Sequence, residues 1–72
     1  MTIREVLARN VKAFRRSAGV SQEELADRAG VDRTYVSSIE RCRYAVSIDK
    51  LDRLAVALGT EAAELLRRDP KG

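Results

Sequence analysis

Gln22-Glu23-Glu24-Leu25-Ala26-Asp27-Arg28-Ala29-Gly30-Val31-Asp32-Arg33-Thr34-Tyr35-Val36-Ser37-Ser38-Ile39-Glu40-Arg41 reads as two short helices joined by one corner. Ser21 precedes the stretch and Glu24 follows it by three, the spacing of a capping box at a helix start. Leu25, Ala26 and Ala29 form an inward stripe, and Gly30 closes this helix. Only Val31 separates Gly30 from Asp32, the expected cap of the next helix, whose stripe is Val36, Ile39 and Glu40. Gly30 takes φ > 0 at little cost, so the chain can turn sharply there. Helices of about nine residues are marginal alone in water, so both must be held by packing. Two short helices meeting at a tight corner make a helix-turn-helix.

The flanks supply that packing. Thr2 caps a first helix with a stripe of Ile3, Leu7, Val11 and Phe14, stopped at Ala18-Gly19. Ser47 caps a fourth, with Ile48, Leu51, Leu54, Ala55 and Leu58 inward and Gly59 as its stop. Thr60 caps a fifth, carrying Ala62, Leu65 and Leu66, before Pro70 and a short charged tail at 69–72. These recurrences at three and four residues have helical period, and no segment alternates with period two. The expectation is one all-α domain of five helices spanning 1–72, with the motif at 22–41.

Composition narrows the function. Cys42 is the only cysteine and histidine is absent, which excludes an internal disulfide and leaves no ligand set for zinc. A chain of 72 residues builds a thin core, so self-association is the remaining source of extra stability. No apolar run approaches the ~18 residues that span a bilayer, and the N-terminus lacks a signal-peptide pattern. A free cysteine without an export signal points to the cytoplasm. Without histidine, and with little room for a cleft among five small helices, enzymatic activity, a cofactor and a small-molecule ligand are not expected. The net charge is +3, and arginine supplies all but three of the fourteen cations. Its planar fork suits phosphates and guanine edges.

On the third helix, Arg33, Thr34, Ser37, Ser38 and Arg41 share the face opposite Val36 and Ile39. A face of donors and small hydroxyls, without a bulky aliphatic residue, suits close approach to bases in a major groove about 12 Å wide. An ordinary solvated face has the same composition, and the wheel alone leaves both open. Gln22 sits where free N–H groups favour a phosphate, or is a plain helix-start glutamine. Tyr35 borders the stripe, where half-buried packing and contact with DNA both fit. Glu40 and Arg15 each fall on an apolar stripe. A buried charge needs a partner, so they are expected to pair across helices one and three, unless each reaches solvent separately.

The stretch 22–41 closely resembles the twenty-residue motif of Cro/C1-type (Xre-like) helix-turn-helix regulators, through its opening glutamine, Ala26, Gly30 and the Ile39-Glu40-Arg41 ending. Val11 and Phe14-Arg15 before it, and Ile48, Leu51 and Ala57-Leu58-Gly59 after it, extend the resemblance over nearly the whole chain. It implies a lambda-repressor-like fold and a homodimer that binds a pseudo-palindromic double-stranded operator as a transcriptional regulator. It implies base contacts from Arg33, Thr34, Ser37 and Ser38, and the Arg15–Glu40 pair as a structural salt bridge. Gln22, Arg41, Arg43 and Tyr44 fall where relatives hold the DNA backbone, and Tyr35 joins them as an expected contact. Dimerisation is expected after the recognition helix, through Ala62, Leu65 or Leu66. The Asp32-Arg33-Thr34-Tyr35 start is similar to that of restriction–modification controller proteins. An antitoxin, or a protein-interaction module on the same fold, is the alternative. Two positions depart from the pattern. Cys42 replaces a usual glycine, so it either strains a left-handed cap or changes the turn. Val46 stands where proline is common.

Overall fold

The computed structural model describes residues 1–43 and 45–68, and in it the expected punctuation becomes backbone geometry. The helices are α1 (Ile3–Ser17), α2 (Gln22–Ala29), α3 (Arg33–Glu40), α4 (Ile48–Ala57) and α5 (Ala62–Leu65), with no strand among the described residues. Thr2 and Ser21 each close a complete capping box, and the Ser47 hydroxyl accepts from the Lys50 N–H. Such a cap satisfies N–H groups that a helix leaves open and is worth about 1 kcal/mol.

The N-terminal helix packs on α3 and α5, while α2 packs on α3 and α4, and α4 carries α5. Val6, Val11, Leu25, Val36, Ile39, Leu54 and Leu65 are essentially sealed from solvent, so all five helices contribute to one core. Each such side chain contributes roughly 1.5–3 kcal/mol when taken out of water. That shared core is what holds two helices of eight residues in place.

Three polar residues, Asn10, Ser38 and Glu40, are buried among the described residues, and Asn10 ties α1 to the C-terminal segment. Asn10 is 5% exposed, and its Nδ2 donates to the Leu65 carbonyl at 2.9 Å and the Arg67 carbonyl at 2.8 Å. The neighbouring Arg9 Nη2 donates to the Arg68 carbonyl at 2.7 Å. A four-residue helix leaves its final carbonyls unmatched, and these donors from α1 match them.

Several expected placements are corrected. Ile48 is 81% exposed, because it is the first residue of α4 and overhangs the end of the packed stripe. Ile3 is likewise exposed at the start of α1, and Val6 takes the buried position there instead. Thr60 does not cap α5. Its N–H is committed to the Ala55 carbonyl at the end of α4, and Glu61 occupies the cap position without a side-chain bond. Asp32 does precede α3 in extended conformation, but its side chain makes no cap bond, and its carbonyl accepts from the Tyr35 and Val36 N–H groups. Leu65, expected at a subunit interface, is completely buried under α1 and α4 within its own chain.

Candidate nucleic-acid interface

The corner between α2 and α3 is tight because Gly30 lies at φ 71°, ψ 35° and Val31 N–H returns to the Ala26 carbonyl at 2.9 Å. A Cβ built on Gly30 meets nothing within 4 Å, so the backbone angle, not space, requires glycine there. The corner points one side of α3 outward. At 3.6 residues per turn, Arg33, Thr34, Ser37 and Arg41 fall within an arc of roughly 100°. Arg33, Thr34 and Arg41 are exposed and Ser37 is half-buried.

Ser38, expected on this face, is 8% exposed and leaves it. Its position lies roughly 40° past Thr34 on the wheel, beyond the edge of the open arc. Tyr35 lies on the inward side and packs half-buried against the core. The Lys50 ammonium stands 4.6 Å from the centre of its ring, a cation–π contact. Burial pushes the Tyr35 hydroxyl upward in pKa, with the Ser47 N–H acting against it. Packing is therefore the main role of Tyr35 in the free protein. Tyr44 lies outside the described residues.

Behind the open face stands a charged anchor. Glu40 accepts from Arg15 through two bonds, Nε to Oε2 at 2.7 Å and Nη2 to Oε1 at 3.1 Å. Arg15 Nη1 also reaches the Val20 carbonyl at 3.1 Å, and Gln22 Nε2 donates to Glu40 Oε1 at 3.1 Å. The two charged side chains are only 13% and 3% exposed. Burial pushes the Glu40 carboxyl up, but the bonds from Arg15 and Gln22, with the nearby Arg15 and Lys12 charges, hold it below the ordinary glutamate range. Donation to Glu40 raises the Arg15 pKa in turn, against the effect of its own burial. The fork-to-fork geometry ties α1 to α3, and Gln22 joins that pair, a contact expected neither from a phosphate-binding glutamine nor from a plain helix-start one.

Beside the anchor, the capping box of α2 uses the N–H groups of Ser21 and Glu24. Those of Gln22 and Glu23 have no helical partner at the start of α2, which leaves two donors and the positive helix end facing outward.

The α3 terminus decides where Arg43 goes. Cys42 N–H bonds the Ile39 carbonyl at 2.9 Å and Arg43 N–H bonds the Ser38 carbonyl at 2.8 Å, a Schellman ending with Cys42 at φ 60°. The cysteine therefore keeps the turn and bears its strain. Arg33, Arg41 and Arg43 are exposed and pair with no carboxylate among the described residues.

Away from this face, Ile3, Leu7, Val46, Ile48, Leu51 and Leu66 line a shallow apolar groove of about 260 Å³. Sequence reasoning treated Ile48 as core, and only its place at N1 of α4 hinted otherwise. No helix of the described residues is long and apolar enough to cross a membrane.

Residues 11–65 match the family model described as helix-turn-helix. A hypothetical transcription factor of Neisseria meningitidis is 48% identical over 64 residues, covering 89% of this chain and 60% of the relative. The control protein C.SmaI of Serratia marcescens is 44% identical over 68 residues, covering 94% of this chain and 81% of the relative. Among solved structures, the restriction-modification controller protein C.AhdI from Aeromonas hydrophila superposes with a TM-score of 0.84 at 37% identity, covering 86% of this chain and 94% of that one. The chain thus spans about three-fifths of the Neisseria relative and most of the two controllers.

Proposed function

The chain belongs to the helix-turn-helix family of Cro/C1 (Xre-like) type, a family of transcriptional regulators and not of enzymes, and from that premise we propose that it binds a specific DNA operator as a homodimer. The observation that carries this reading is the outward arc of Arg33, Thr34, Ser37 and Arg41, set beside the open N–H groups of α2. In the proposed complex α3 enters the major groove. Arg33 makes a bidentate contact to guanine O6 and N7, and Thr34 and Ser37 meet neighbouring base edges. Gln22, Arg41 and Arg43 hold phosphates and fix the register without reading sequence. Ser38, buried against the core side of α3, makes no base contact in this complex. The Asp32-Arg33-Thr34-Tyr35 start and the similarity to two controller proteins favour a restriction–modification controller among such regulators.

The dimer contact is the apolar groove with the exposed Ile3 and Ile48 and the half-buried Leu66, while Leu65 stays in the core of its own chain and Ala62, half-buried on α5, lies outside the groove lining. A second copy covering that groove gives two recognition helices related by a two-fold axis. The operator then has pseudo-palindromic half-sites about 34 Å apart, or a multiple of that spacing.

Selection of bound duplexes from a random pool at fixed salt tests the reading. A winning duplex with two inverted half-sites is the expected result. Equal retention of every duplex overturns sequence-specific binding, and a single unrepeated site overturns the two-fold dimer.

A further inference from the structure

Glu40 holds Arg15 through two hydrogen bonds, which already satisfy a salt bridge, yet Gln22 from a different helix makes a third. A carboxylate only accepts, so the Gln22 nitrogen, not its oxygen, must face Glu40, which fixes the orientation of the amide. Glu40 cannot swing with Gln22, because its side chain is 3% exposed and clamped by Arg15. Arg15 in turn holds the Val20 carbonyl, two residues ahead of Gln22 in the turn that leads into α2. The chain of contacts therefore starts and ends on the segment that opens α2. One N–H of Gln22 is committed, and the amide keeps a single N–H to offer beside the unmatched backbone donors of Gln22 and Glu23.

We infer that Glu40 is a positioning residue for phosphate binding, orienting the Gln22 amide so that its second N–H points with those donors at the DNA backbone. The inference rests on the DNA-binding reading above. Holding the side chain in advance removes part of the ordering that a free glutamine would undergo on binding.

The test uses a duplex recovered by the unmodified protein from a random pool. Glu40 and Arg15 are replaced together (Arg15→Met with Glu40→Leu), since exchanging a buried pair for apolar residues avoids an orphaned charge. Thermal melting confirms that this background is folded at the binding temperature. Gln22→Ala is expected to weaken binding about tenfold in the original chain, as loss of one charge-assisted hydrogen bond implies. In the apolar background the same change is expected to weaken binding by less than about twofold. Equal losses in both backgrounds, or no loss in the original chain, overturn the inference while leaving DNA binding intact. Failure of the original protein to enrich any duplex overturns the DNA-binding reading itself.

A second measurement needs no substitution. Gln22 is the only glutamine of the chain and Asn10 the only asparagine, so the side-chain amide spectrum holds two NH₂ pairs. In the free protein the Gln22 pair is expected to show slowed exchange and restricted motion. An amide pair as mobile as that of a free glutamine contradicts positioning by Glu40.

Discussion

Cys42→Gly should stabilise the protein. Cys42 sits at φ 60° in the C′ position of a Schellman ending, where Gly19 and Gly59 stand at φ 70° and 72° after α1 and α4. A side chain in that conformation costs roughly 1–2 kcal/mol because Cβ crowds the following carbonyl. Glycine removes this strain, but it also gives the unfolded chain freedom worth roughly 0.4–1 kcal/mol. Little else is lost. The thiol is exposed, and its one hydrogen bond among the described residues is a 3.9 Å approach to the Arg4 carbonyl. The net gain is about 0.8 kcal/mol. For a domain of this size that raises the melting temperature by about 3–6 °C. Thermal unfolding followed by circular dichroism, under reducing conditions, measures it. Cys42→Ala separates the thiol from the backbone: it removes the sulfur, keeps the strain, and should leave the melting temperature nearly unchanged. A lower melting temperature for Cys42→Gly would falsify the strain argument, as would an equal gain from Cys42→Ala.

Four further outcomes follow from the same structure. Glu40→Ala leaves Arg15 uncompensated in a nearly buried site and should cost about 3–5 kcal/mol, read from denaturant unfolding. Because the folded state depresses the Glu40 pKa, the stability it adds is fully present above the unfolded glutamate value and is lost as pH falls through the lower folded value. Melting temperature in the original chain should therefore drop below about pH 4 more steeply than in the Arg15→Met, Glu40→Leu double variant. Asn10→Ala deprives the Leu65 carbonyl of its side-chain donor and leaves the Arg67 carbonyl only the longer bond from Arg9, so about 1–3 kcal/mol and faster amide exchange in 62–68 are expected. Arg33→Ala should weaken operator binding by about 1–3 kcal/mol and relax preference at one base pair, whereas Arg43→Ala should weaken all duplexes alike and reduce the salt slope by about 1 per half-site.

Local signals with one physical meaning were legible in the sequence. Ser21 and Glu24 specified the start of α2, Gly30 the corner, and the misplaced charges of Arg15 and Glu40 found each other because burial without a partner is costly. Positions decided by long-range packing were not legible. Leu65 and Ile48 are both aliphatic on helical stripes, yet one is sealed and the other almost bare. The difference lies in where α1 and α4 end, not in either residue. Ser38 is small and polar, so its type could not distinguish the open arc from the buried flank. Asn10 falls on the α1 stripe, three residues after Leu7, but its partners are carbonyls 55 and 57 residues later, which spacing could not reveal. Gln22 was legible as a helix-start donor but not as a ligand of Glu40, because that bond exists only after α2 and α3 have packed.

Whether α3 reads bases from the major groove is decided by methylation interference on the selected duplex. Dimethyl sulfate methylates guanine N7 in the major groove and adenine N3 in the minor groove. Guanine N7 methylation in each half-site should block binding in the original chain, with the effect at one guanine lost in Arg33→Ala. Interference confined to adenine N3, or none at either position, would contradict the placement of Arg33, Thr34 and Ser37 against base edges.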